Sequence, residues 1–204
     1  MKYQIKQVSS EIFAVVVKNK YDRAMLFCRA QEYYECPNPK FRGKSFSIWD
    51  YMKWYGSKYG KGFSYGADWS GFNVPIQEIA DCHAKLQNPE TPYDKIMIEI
   101  LSKVGDRGYL IGCENTKNDT FKHEVCHARY HSDPEYKEKA NSATRKIPKQ
   151  HYNLFKSNLL SMGYSAKVVD DEIQAYFQYG YENNEFGKGV PLAKRKQYSE
   201  MYKQ

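Results

Sequence analysis

The chain has 204 residues, 41% of them hydrophobic, with 31 Lys and Arg against 24 Asp and Glu for a net charge of +7. That apolar content excludes a disordered chain, the length allows one good core or at most two small ones, and no apolar run approaches the roughly 18 residues of a helical membrane span. Five Cys without a C-x-x-C pair exclude a cysteine-zinc knuckle and a disulfide framework, so reduced thiols and a cytoplasmic protein are expected, in the host cytoplasm if the source is viral.

In chain order, Lys2 to Val8 and Ile12 to Val17 are β-rich runs split by Ser9-Ser10-Glu11, which predicts a hairpin. Tyr21 to Glu35 reads as an amphipathic helix stopped by Pro37 and Pro39. Phe41-Arg42-Gly43-Lys44-Ser45 ends like a phosphate-binding loop but has Asn38 where that motif needs its first glycine, so nucleotide binding is rejected. Ser47 caps a helix that runs to Gly60. Phe63 to Pro75, rich in glycine and aromatics, reads as an ordered loop packed on the core. Two helices follow, Pro75 to Leu86 and Pro92 to Val104, joined by an Asn88-Pro89 turn, and then a buried strand, Gly108 to Cys113.

Asn118 or Asp119 then caps a helix carrying His123-Glu124-Val125-Cys126-His127. Residues four apart lie on one helical face, so His123 and His127 can turn two imidazoles toward a single ion, for which zinc is the expected choice. Glu124 sits at the edge of that face, placed to act as general base on a water whose pKa the metal lowers to about 7. This is the equipment of metal-assisted hydrolysis. Further helices are expected from Pro134, from Lys149 to Met162, and from Ala166 to Tyr179 behind a Ser165 cap; the basic tail from Pro191 reads as a short surface helix. The remaining Lys and Arg are scattered and read as a solvated surface.

Catalytic zinc takes three protein ligands. His131 lies about 12 Å along the helix axis from His123, beyond the reach of a shared ion unless the chain turns back. Glu172 and Asp171, in Asp170-Asp171-Glu172-Ile173-Gln174-Ala175, are the other candidates, and the small Ala175 one turn after Glu172 would let that helix approach closely. An oxyanion donor is sought among Tyr130, His131, His151 and Tyr176.

His123-Glu124-x-x-His127 followed by Glu172-x-x-Ala175 resembles the gluzincin kind of zincin metallopeptidase. The wider layout, with Gln31 to Glu35, Phe41 to Lys44 and Asp68 to Pro75, is similar to small, poorly characterised proteins encoded by phages and large DNA viruses. The resemblance implies Zn2+ held by His123, His127 and Glu172, with Glu124 as the catalytic base and a protein or peptide as substrate. The interval from His127 to Glu172 is longer than is usual there. The implied fold is α+β: one domain over residues 1–204, its half through residue 115 supplying a small sheet and cleft walls, its half from 116 helical and metal-binding. The alternative is a catalytically inactive viral or phage module of the same fold that binds a host protein or nucleic acid.

Overall fold

A computed structural model describes residues 1–86 and 89–203, which form a mostly helical chain with one four-stranded sheet. The chain divides into two compact units, Met1–Lys117 and Asn118–Gln204. Among the described residues no helix is long and apolar enough to cross a membrane, and all five cysteines are free thiols.

The first unit is built on its β-branched runs. β1 (Gln4–Gln7) and β2 (Ile12–Val16) pair as the expected antiparallel hairpin, and β4 (Tyr109–Cys113) lies parallel to β2. All five residues of β4 are buried, as befits a strand covered on both faces. The close approach depends on glycine: at Gly108, with φ +99°, a Cβ would collide with the Glu11 carbonyl, and at Gly112 with the Phe27 ring. β3 (Phe72–Pro75) closes the sheet antiparallel to β4, giving the order β1-β2-β4-β3. The expected Phe63–Pro75 loop is therefore corrected: it contains a short helix, α3 (Tyr65–Asp68), as well as β3.

α1 (Lys20–Glu35) packs against α3, β3, β4 and the later helices α4 (Ile76–Ala84) and α5 (Pro92–Val104). It is buried nearly all round from Arg23 to Tyr33 rather than amphipathic, because partners cover more than one of its faces. Its buried charges are held: Arg23 donates to the Val17 and Ser70 carbonyls, and Arg29 to Asp94, Glu90 and the Phe46 carbonyl. α2 (Ile48–Tyr59) starts at the expected Ser47 cap and stops at Gly60, with φ +66°. Thr91 and Asp94 form a capping box at the start of α5. The Asn88 of the expected Asn88-Pro89 turn lies outside the described residues.

The second unit is all helix: α6 (Asp119–Ser132), α7 (Pro134–Arg145), α8 (Lys149–Ser161), α9 (Val169–Gln178) and α10 (Leu192–Met201). α9 is its hub, packing against α6, α7, α8 and α10. Phe155, Phe177 and Phe186 are fully buried at its centre, each contributing at most about 1.5–3 kcal/mol of apolar burial. The expected surface helix at the tail is corrected, since α10 buries Tyr198 in this core and Tyr202 follows it there. So is the start of α9: the Ser165 carbonyl accepts the Val168 N–H in a turn, and the helix begins at Val169 with no side-chain cap. Asp170, Asp171 and Glu172 thereby stand in its first turn, where their charge complements the N-terminal end of the helix dipole.

Candidate metal centre

The Asn118 side chain accepts the Phe121 N–H, fixing where α6 begins and so the phase of everything after it. With that phase set, His123 and His127 share one face, their ring centroids 4.9 Å apart. α9 packs on this face, with the fully buried Ala175 one turn beyond Glu172, where a small side chain permits close backbones.

His123, His127 and Glu172 each offer a ligand atom within 4.8 Å of the others. His123 Nε2 lies 3.8 Å from Glu172 Oε2, and His127 Nε2 lies 3.7 Å from Glu172 Oε1. These distances exceed a hydrogen bond and approach the roughly 3.3–3.6 Å that separates ligand atoms around a tetrahedral zinc. Glu172 Oε2 is buried and has no hydrogen-bond partner, an expensive condition for a carboxylate that a bound cation would relieve.

The other ring nitrogens are engaged. His127 Nδ1 donates to Asp171 Oδ1 at 2.9 Å, and His123 Nδ1 to the Tyr179 carbonyl at 3.3 Å. Both acceptors lack a proton to give, so each imidazole donates from Nδ1, which leaves Nε2, on the side toward Glu172, as the nitrogen that could bind an ion in exchange for a proton. Asp171 is itself held. The fully buried Gln174 donates to Asp171 Oδ1 at 3.0 Å and accepts from the Tyr136 hydroxyl at 2.8 Å. The cluster thus offers two imidazoles and one carboxylate that could hold a metal ion, with an outer layer that orients the rings.

The field is set for a cation. Burial of the His127 ring opposes its protonation, yet the charges of Asp171, Glu172 and Glu124 prevail and raise its pKa well above the ordinary value. Glu124 is buried beside this cluster. Two phenols complete the wall: Tyr176 packs edge-on against His123 at 5.0 Å, and its hydroxyl meets that of Tyr164 at 3.3 Å. Burial, then the negative charges of Glu172 and Glu124, push both phenols above their usual pKa, so they remain O–H donors at neutral pH.

Of the residues singled out in the sequence, the structure brings His123, His127 and Glu172 together, with Glu124 adjoining. Asp171 is on that helix as expected, but it bonds His127 Nδ1, the nitrogen turned away from Glu172, and is not one of the three clustered groups. His131 is exposed in the last turn of α6 and outside the cluster, since the helix continues through Ser132 instead of turning back. Tyr130 donates to Asn141, and His151 bonds Tyr198, which leaves Tyr176 as the one proposed oxyanion donor beside the imidazoles. Sequence reasoning missed Tyr164, which lies in the connector before α9 with no motif spacing to mark it. It also missed Gln174, whose signal was an amide on the buried face of a helix. Compared with known protein families, curated proteins and solved structures, the chain matches none, so its site is read from its own atoms.

Proposed function

We propose that the chain is a zinc-dependent hydrolase, a metallopeptidase, with His123, His127 and Glu172 as metal ligands and Glu124 as general base. The observation that carries this reading is the convergence of the His123 and His127 Nε2 atoms on the Glu172 carboxylate, whose Oε2 is buried without a hydrogen-bond partner. Zn2+ in such a His2Glu set supplies Lewis acidity that acidifies water and polarises a carbonyl.

The chain's own groups do the rest. Asp171 and the Tyr179 carbonyl hold the imidazoles in the tautomer that frees Nε2. Glu124 follows His123 directly on α6, so it stands next to the ligand set without belonging to it. One of its carboxylate oxygens takes the proton of the attacking water and returns it to the nitrogen of the leaving amine. The Tyr164 and Tyr176 hydroxyls are donors for the negative charge that develops on the substrate's carbonyl oxygen.

The test is Glu124→Gln, assayed with a quenched-fluorescent peptide library alongside metal analysis. Zinc content should be unchanged while cleavage falls by about 100-fold or more, because an amide cannot accept the proton. Undiminished cleavage by the variant would remove Glu124 from the mechanism. A zinc-loaded parent chain without cleavage would favour the inactive binding module.

A further inference from the structure

The first unit carries a surface that the metal centre does not use. Between Pro37 and Gly62 the sequence has Lys40, Arg42, Lys44, Lys53, Lys58 and Lys61 against one acid, Asp50. These cations read as scattered along the chain, but the fold gathers them. Phe41 is buried against Tyr51 at 5.3 Å and Trp54 at 5.3 Å, which pins the loop bearing Lys40, Arg42 and Lys44 to the side of α2. Lys85 reaches the same loop, its Nζ 3.4 Å from the Gly43 carbonyl.

α2 itself interleaves aromatics with cations. Trp49 and Lys53 are four residues apart, hence on one face, and both are exposed, with Trp49 62% accessible. Trp54 and Lys58 repeat the spacing on the flank toward the loop, the ammonium lying 5.0 Å from the indole centroid. Among the described residues Lys40, Arg42, Lys44, Lys53 and Lys58 make no ion pair, whereas Lys61 lies 4.0 Å from Asp68 and Glu90 is committed to Arg29 and the Ile48 N–H. The cations are therefore free to meet an outside anion. The exposed Trp49 ring stands one helical turn from Lys53, so a flat π-face and a cation are presented together.

We propose that this face of α2 and the 40–44 loop binds single-stranded nucleic acid, the Lys and Arg neutralising phosphates and Trp49 stacking on a base. An acidic protein would satisfy the charges equally. The flat, exposed indole set among cations favours unpaired bases, whose faces it can cover. Duplex DNA hides those faces and offers α2 no comparable use for Trp49. The proposal is independent of the zinc reading, because no residue of the metal cluster takes part.

The test is fluorescence anisotropy of a labelled oligothymidylate of about twenty nucleotides, titrated with the full-length chain at low and high salt. Binding should quench tryptophan emission, and its logarithmic salt slope should be about −3 for four or five neutralised phosphates. Trp49→Ala should weaken binding by about tenfold, and Lys53→Glu with Lys58→Glu by more; Lys156→Glu, on α8, should leave it unchanged. These side chains are exposed, and circular dichroism checks that the variants fold. Three results overturn the proposal: no binding at low salt; binding that Trp49→Ala leaves intact or that duplex DNA matches; or preferential binding of polyglutamate, which would assign the face to an acidic protein.

Discussion

The two units treat buried charge in opposite ways. In the first, Arg29 is saturated: its guanidinium meets Asp94 at 2.8 Å and Glu90 at 2.7 Å, and Asp94 is also tied to Thr91. Even the buried His83 is spoken for, donating from Nδ1 to the Ile79 carbonyl, with Asp94 3.7 Å from Nε2. In the second, two imidazoles and three carboxylates crowd together, and Glu172 Oε2 keeps no hydrogen-bond partner. A satisfied buried charge is fully explained by the fold around it. An unsatisfied one, with two imidazole nitrogens 3.8 and 3.7 Å from the same carboxylate, could hold a metal ion.

The largest effect that separates the units is expected at Asp94. Asp94→Ala takes the buried carboxylate from the Arg29 guanidinium, leaving it the partly exposed Glu90, and removes the capping box of α5, so the first unit should lose about 3 kcal/mol. All three tryptophans lie in this unit, so the urea midpoint followed by tryptophan emission reads it directly. An unchanged midpoint would show that the Arg29 network is not a structural keystone. Next comes Asp171→Ala, which frees His127 Nδ1. Zinc affinity should fall about 10- to 100-fold in a chelator competition, with the thermal transition of the metal-free chain little moved. A lower transition temperature with unchanged zinc affinity would make Asp171 structural, like Asp94.

The smallest effect is expected at Glu32. Burial raises its carboxyl pKa, despite hydrogen bonds from Tyr65, Cys36 and Tyr51 that oppose the shift. A carboxyl with a raised folded pKa takes up its proton on folding, so its contribution grows as pH falls through the folded value and is level below the unfolded one. Above that window its charge is a cost. Glu32→Gln keeps an acceptor for the Tyr65 hydroxyl and should raise the urea midpoint at neutral pH, the gain shrinking toward pH 4. A lower midpoint at neutral pH would mean that the ionised carboxylate is a stabilising partner there.

Local signals were legible in the sequence wherever one side chain settles one backbone group. Ser47 and Asn118 start their helices, Gly60 ends one, and β-rich runs on either side of Ser9-Ser10-Glu11 mark the hairpin. The histidine pair belongs with these, because helical spacing alone puts two residues four apart on one face. What stayed hidden depends on neighbours remote in sequence. β3 owes its strand state to pairing with β4, and its apolar–polar–apolar Phe72-Asn73-Val74 is too short a run, among glycines and aromatics, to mark a strand by itself. The burial of α1 on more than one face comes from elements up to Cys113. Asp171 and Glu172 looked like rivals for one metal position. An imidazole has two nitrogens, and the fold gives Asp171 to Nδ1 and Glu172 to Nε2 of the same ring. That division of labour follows from how α9 docks on α6, which no spacing within either helix encodes.

The most direct test of the metal centre is the zinc content of purified chain after exhaustive dialysis, measured for the parent, for His123→Ala with His127→Ala, for Glu172→Gln and for His131→Ala. The parent and His131→Ala should each hold about one zinc per chain, the double variant none, and Glu172→Gln a small fraction. Full zinc occupancy in the double variant, or loss of zinc from His131→Ala with Glu172→Gln unaffected, would contradict the assignment.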